Sequence, residues 1–511
     1  MGAGVRGIDT RLVVGGSALA AAVLRFPGLL VPAGADESGF TLVARHWDPQ
    51  PDSMYGPYWL DRPPAVIALV KVSDMVGGPT FLRVVAAIGC ALLVVLAAAT
   101  ARAALRYAGE VDERMITRTG AWTAVLTAAF TSNSMIDTVM AKGEVLGIPF
   151  VVLSFWLTLL ALNRPRVDGA ALALATGSGL AATMALGMKQ NMVGGLVFAA
   201  VILVGSRLTR RLSTGDLLRL GAMVAGGALV PVLATVLWAV SAGVRLESVW
   251  YSIYGFRSQA LAVILESNID APAIRALLLL GTVFATGMAF VVAGAVAHVR
   301  RLWNVNGPLT VAALVVVAVD TSGLVLSGSY WQAYLFILIP GVVLCTTLLL
   351  AIRVHVARRV WLLTILAMVS ALGSSVVRTG LYVADIRTPT AVRSGEAIAA
   401  ASEPGDTIVV YGGRAELVLA SGLESPYEHL WSLPMRTRDP DLDELKGVLE
   451  GPDAPTWLVF WAPRSGWNAL GESLTPLVDE RYEFHGLACD DHPVYLLAGE
   501  SRPPIEPTCD E

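Results

Sequence analysis

The chain has 511 residues, 55% hydrophobic and 15% charged, with a formal net charge of −4. Soluble domains carry roughly 25% charged residues, so a chain this poor in charge, with its apolar residues gathered in long blocks, is not an ordinary soluble protein. No basic tract suggests nucleic-acid binding.

A helix needs about 20 apolar residues to cross a bilayer. Apolar blocks fall near 12–32, 81–105, 116–133, 144–162, 169–187, 192–206, 217–242, 273–298, 308–326, 331–351 and 360–383, which predicts about eleven transmembrane helices. The first block is longer than the roughly 7–15-residue core of a secretion signal. It also contains Arg25, so it reads as a retained helix, although Ala33-Gly34-Ala35 has the form of a cleavage site. Pro149 lies inside the block at 144–162, which membrane helices tolerate.

Positive charge sets the orientation. Arg102, Arg106, Arg114 and Arg118, then Arg164 and Arg166, then Arg207, Arg210, Arg211 and Arg219, then Arg300 and Arg301, then Arg353, Arg358 and Arg359 occupy alternate loops. They share a side with the N-terminal Arg6 and Arg11, and the positive-inside rule makes that side cytoplasmic. The opposite, outer side receives a long first loop at 33–80, a second at 131–143, a short turn at Lys189-Gln190-Asn191, a loop at 243–272 and the tail. Arginine outnumbers lysine 33 to 4, and with so much Ala, Val and Gly this points to a high-GC, actinobacterial source.

The chain divides into a membrane domain at 1–385 and a polar C-terminal domain at 386–511. Strand-like runs at 406–411, 457–461 and 494–498, with a helical stretch at 441–449, make the latter a small α/β unit. Tyr411-Gly412-Gly413-Arg414 reads as a turn after a strand. Cys489 and Cys509 lie in this tail, where a disulfide is permitted if the tail is extracytoplasmic. Cys90 and Cys345 lie in apolar blocks and read as packing residues.

The charged residues of the outer side need a reason, because charge at the membrane face is expensive. Asp36 and Glu37 follow the first block directly. The first loop continues to Tyr58-Trp59-Leu60-Asp61-Arg62-Pro63-Pro64, whose prolines stop a helix and whose aromatics suit a membrane interface or a sugar face. Taken singly, each has a plain reading. Asp36 and Glu37 favour a helix start, Asp61-Arg62 is a local ion pair, Asp137 a helix cap, and Lys189 a snorkelling anchor. Lys142 and Glu144 read as an ion pair at a helix start. Together they place carboxylates and cations on one face at a similar depth. That is what chemistry on a lipid phosphate-sugar requires: a base for the acceptor hydroxyl and cations for the leaving phosphate.

These motifs occur in the order seen in a known family. Asp36-Glu37 after the first helix, the Tyr-Trp-Leu-Asp-Arg-Pro-Pro loop, Met-Ile-Asp-Thr at Asp137, Leu-Gly-Met-Lys-Gln at Lys189 and Gly-Ser-Tyr-Trp-Gln-Ala-Tyr-Leu at 328–335 resemble the multi-spanning GT-C glycosyltransferases. The branch is that of the protein mannosyltransferases and aminoarabinose transferases, glycosyltransferase family 39-like, and the likeness covers about 10–385. The resemblance implies a polytopic α-helical fold of GT-C type and an inverting transfer from a polyprenyl-phosphate sugar to a cell-envelope acceptor, whether glycan, lipid or protein. It makes Asp36 the catalytic base and Glu37 its companion, which shapes the loop or meets substrate. It places Asp61 on the donor head group, with a divalent metal as an option there, and Arg62 and Lys189 on the phosphate. It matches Asp137 to the substrate-binding acid of the second outer loop, and Tyr330 and Tyr334 to aromatic positions that line the cavity. Where some relatives have histidine, this chain has Ala333. Arg257, in a loop rich in aromatics, is a further phosphate candidate from the residues alone.

A transporter or flippase of lipid-linked sugars is the alternative. It predicts ionisable groups near the midplane, whereas Asp320 is the main one found in mid-block.

Overall fold

The computed structural model describes residues 9–136, 140–266, 270–352, 357–383, 389–465 and 470–509. Every apolar block is helical. The first comprises α1 (Thr10–Val23), whose N-cap Asp9 accepts the Arg11 N–H, and a 3-10 turn at Phe26–Leu30. The long first loop folds into α2 (Ala35–Arg45) and α3 (Pro64–Val76), the latter opening on a proline where no N–H is needed. Next come α4 (Gly78–Ala108), stopped by Gly109 in the left-handed conformation, and α5 (Glu113–Thr131). They are followed by α6 (Gly143–Leu162), α7 (Gly169–Met188), α8 (Gly194–Leu208) and α9 (Thr214–Ser241).

A loop region then holds α10 (Leu246–Trp250), a π-helical turn at Tyr251–Gly255 and α11 (Phe256–Glu266). Helices α12 (Asp270–Ala285) and α13 (Met288–Ala297) meet at 72°. Helix α14 (Val299–Val325) breaks at Asn306, two residues before Pro308, and the Asn306 side chain caps the Leu309 N–H at 2.9 Å. A 3-10 segment, Gln332–Leu338, leads into α15 (Ile339–Ala351), and α16 (Ala357–Val383) ends the helical domain.

Among the described residues eight helices are long and apolar enough to cross a membrane, and nine if the bent α12–α13 pair is one span, beside the eleven apolar blocks of the sequence. Helix α8 has 15 residues, and α5 opens on Glu113, Arg114 and Arg118. Large apolar side chains stand exposed along α9 (Leu229, Leu233, Leu237) and α16 (Val369, Leu372, Val376). Soluble monomers do not expose continuous apolar surface on this scale, and the chain is a multi-pass membrane protein.

The C-terminal region holds α17 (Thr390–Ala401), β1 (Ile408–Tyr411), α18 (Ala415–Ser421), α19 (Ser432–Arg438) and α20 (Asp443–Glu450). It continues through β2 (Trp457–Phe460), α21 (Thr475–Arg481), β3 (Tyr482–Ala488) and β4 (His492–Leu497). The sheet order is β1-β2-β4-β3, parallel between β1 and β2 and antiparallel elsewhere. The three strands read from the sequence are present. Strand β3 was not foreseen: it is a bulged edge strand whose residues alternate on no buried face. Gly412 and Gly413 make the expected turn after β1, at φ 99° and 66°, and pack against the backbone at Ala462 and Trp431. Cys489 and Cys509 are joined as a disulfide with Cα atoms 5.3 Å apart, and Cys90 and Cys345 are buried and free.

Candidate active site

The site begins where the chain turns into α2. Asp36 and Glu37 both occupy the first turn of α2, where unpaired N–H groups favour acids, but only Glu37 is buried. Glu37 is 0% exposed. Its carboxylate accepts from Arg83 Nε at 2.9 Å, a second Arg83 nitrogen, the Ala141 N–H at 2.7 Å and the Gly34 N–H at 3.3 Å. Arg83 also donates to the carbonyls of Gly28, Val31 and Pro32. Glu37 is thus held within the loop, with both carboxylate oxygens accepting hydrogen bonds from the protein. Asp36 remains partly exposed, with Lys142 at 3.7 Å.

The second part is the Asp61-Arg62 corner, held where Pro63 and Pro64 start α3. Asp61 is buried; Arg62 meets one carboxylate oxygen at 2.6 Å and Arg257, from α11, meets the other. Gln190 donates to the Asp61 carbonyl at 3.0 Å, tying the corner to the turn between α7 and α8. Burial pulls the Arg62 guanidinium down, yet the charges of Asp61, then Asp36, Tyr334 and Glu144 outweigh it and raise its pKa. Arg62 therefore stands within electrostatic reach of both Asp36 and the groups around Lys189. Each Asp61 oxygen faces a guanidinium, so the residue sits between two positive charges.

The third part surrounds Lys189. It is buried, pairs with Glu144 and points its ammonium over the Tyr334 ring, 3.8 Å from the centroid. This replaces the expected snorkelling anchor, and it corrects the expected Lys142–Glu144 pair: Lys142 goes to Asp36 and Glu144 to Lys189. A cavity of about 160 Å³ opens here, lined by Lys189, Gln190, Asn191, Arg257, Tyr334 and residues of α11 and α14. Tyr330 adopts φ 53° beside it but is not part of the lining. Asp320 is buried against the first turn of α8, near Gly194, and is also outside the lining. Asp137 lies outside the described residues.

A larger hollow of about 300 Å³ lies among the arginine-bearing loops, lined by Arg106, Tyr107, Asn163 and Arg211 among others. It contains no carboxylate and none of the residues expected to act.

The C-terminal domain packs onto the first loop. The Trp59 N–H donates to the Glu428 carbonyl at 3.0 Å, and the Ser425 N–H to the Tyr58 hydroxyl at 3.0 Å. Trp59 packs on Phe256 and lies under Arg438, and Phe40 packs on Trp431. Tyr58 and Trp59 are 2% exposed and make the seam between the parts, not a sugar face. Glu416 of α18 is buried near Asp36. Burial first pushes its carboxyl up, backbone N–H and Arg414 oppose this, and the Asp36 charge adds to the rise.

The sequence reading missed Arg83, Gln190 and Glu416 as parts of the site and mis-assigned the partner of Glu144. Arg83 carried a signal, being a charged residue three positions into an apolar block. The others carried none, since their roles depend on which helices stand side by side.

No protein-family profile matches the chain, and no curated protein matches it. Solved structures do. ArnT from Cupriavidus metallidurans bound to undecaprenyl phosphate has a TM-score of 0.64 at 15% identity, covering 96% of this chain and 99% of that one. The same protein in its apo state has a TM-score of 0.61 at 14% identity, covering 94% and 96%. The apo oligosaccharyltransferase of Archaeoglobus fulgidus has a TM-score of 0.55 at 13% identity, covering 98% of this chain and 75% of that one. The chain therefore has the GT-C fold of these membrane glycosyltransferases.

Proposed function

We propose that the protein is an inverting glycosyltransferase that takes a sugar from a polyprenyl-phosphate donor and passes it to a cell-envelope acceptor on the outer face of the membrane. The observation that carries this reading is the chain of charges from Asp36 through Arg62 and Asp61 to Arg257, which with Lys189 lines a cavity. It is supported by the fold shared with ArnT, whose structure holds undecaprenyl phosphate.

In this reading Asp36 accepts the proton of the acceptor hydroxyl. The freed oxygen attacks the anomeric carbon, and the bond from that carbon to the donor phosphate oxygen breaks. The polyprenyl phosphate leaves carrying the electron pair, and Lys189, Arg257 and Arg62 stabilise its growing charge. Tyr334 orients the Lys189 ammonium, and Glu144 with Asp61 keeps the cations in place.

The test is transfer by purified protein in nanodiscs, given a radiolabelled polyprenyl-phosphate sugar and membrane acceptor. Label should move to the acceptor, and Asp36→Asn should lower the rate by about 10²–10⁴ while the protein stays folded. In sealed proteoliposomes, label that crosses the bilayer but stays on its lipid would mean a flippase. Full transfer by Asp36→Asn would remove the base assignment.

A further inference from the structure

One buried histidine of the C-terminal domain has no part in the site above. His429 lies between α18 and α19, is 2% exposed, and neither ring nitrogen has a hydrogen-bond partner among the described residues. An unsatisfied buried polar group is costly, so its persistence calls for a partner. Its Nε2 faces two carboxylates from separate stretches of chain, Glu428 Oε1 at 3.4 Å and Glu444 Oε2 at 3.5 Å.

Both distances exceed the usual 2.7–3.2 Å of an N–H···O hydrogen bond. They match the edge of a coordination tetrahedron instead: ligand atoms about 2.0–2.1 Å from a zinc-type ion stand roughly 3.3–3.4 Å apart. All three donor atoms lie within 4.8 Å of one another. From this geometry we infer that Glu428, His429 and Glu444 form a site for a divalent transition metal. One imidazole with two carboxylates is the mixed nitrogen–oxygen donor set of zinc and its neighbours, not the all-oxygen set of magnesium or calcium.

The surroundings fit. Arg438 donates to the same Glu428 oxygen, Oε1, at 2.9 and 3.2 Å and fixes that carboxylate in place, leaving its second oxygen outside those bonds. The Glu444 side chain is 42% exposed, which gives the ion an entry path and leaves a fourth position for water. The site also sits on the seam, because the Glu428 carbonyl holds the Trp59 N–H and Arg438 lies over the Trp59 ring. The metal joins α20 to the segment that grips the first loop, so removing it loosens the hold of the C-terminal domain on that loop.

The test uses the full chain in nanodiscs, stripped with chelator and titrated with Co²⁺. One Co²⁺ per chain should bind with the absorption bands of tetrahedral cobalt and be displaced by Zn²⁺. Uptake should be lost in His429→Gln and in Glu444→Gln and kept in Glu472→Gln, an exposed acid elsewhere in the domain. Glu444→Gln changes a half-exposed side chain, so it carries the test if His429→Gln fails to fold. Absence of stoichiometric uptake, or equal uptake by both variants, would overturn the proposal and leave His429 as an imidazole between two acids.

Discussion

Changing Glu37 to Gln is a one-atom perturbation at a place with no room for it. The Glu37 side chain is 0% exposed and that of Arg83 is 3% exposed. One Glu37 oxygen accepts from Arg83 Nε and the Ala141 N–H, the other from Arg83 and the Gly34 N–H. A glutamine amide must put its NH₂ against one of those pairs of donors, and Arg83 loses the carboxylate that two of its nitrogens meet. Breaking a buried ion pair from one side costs about 3–5 kcal/mol, a large share of a total stability of roughly 5–15 kcal/mol. The melting temperature in nanodiscs should drop sharply, and hydrogen exchange at 33–41 should speed up before the rest of the chain. A Glu37→Met/Arg83→Met pair removes both charges and should be less damaging than Glu37→Gln alone. Unchanged melting and exchange in Glu37→Gln would refute the view that this pair sets the geometry of the Asp36 turn.

Other outcomes follow from the same contacts. Lys189→Met should weaken polyprenyl-phosphate binding by roughly tenfold or more, about 1.4 kcal/mol. Adding Glu144→Gln should restore stability without restoring affinity, which separates the phosphate role from the packing role in a binding titration. Burial pushes the Asp406 carboxyl up, but Arg502, the Glu403 N–H and the Trp457 indole prevail and hold it below the ordinary aspartate value. Its contribution to stability is thus full above the ordinary value of about 4 and is lost as pH falls through the depressed one. Acid unfolding followed by tryptophan fluorescence should show this, and Asp406→Asn should flatten that limb. Cys509→Ser opens a loop closed across 20 residues and should lower the stability of the C-terminal domain by about 3 kcal/mol, read from its melt with and without reductant.

The helical frame was legible because each apolar block is a local property of the chain. The count of crossings was less so, since α5 carries charge in its first turns and α12 and α13 meet at a bend. Asp36, Arg62, Lys189 and Arg257 stood out as costly charges on one side, and they do gather. Their partners were hidden, because Lys189 finds Glu144 across 45 residues and Asp61 finds Arg257 across the first loop and α11. No pattern along the chain encodes such distances. Trp59 misled for a related reason: an aromatic in an outer loop suits a sugar as well as a seam, and only the Glu428 carbonyl decides between them.

The central claim is that the cations around Lys189 receive a prenyl-linked phosphate, and a structure with undecaprenyl phosphate bound in a nanodisc tests it most directly. The phosphate should lie within hydrogen-bond reach of Lys189 and Arg257, with the prenyl chain leaving between α11 and α14. A phosphate found instead in the hollow beside Arg106 and Arg211, at the opposite set of loops, would contradict it.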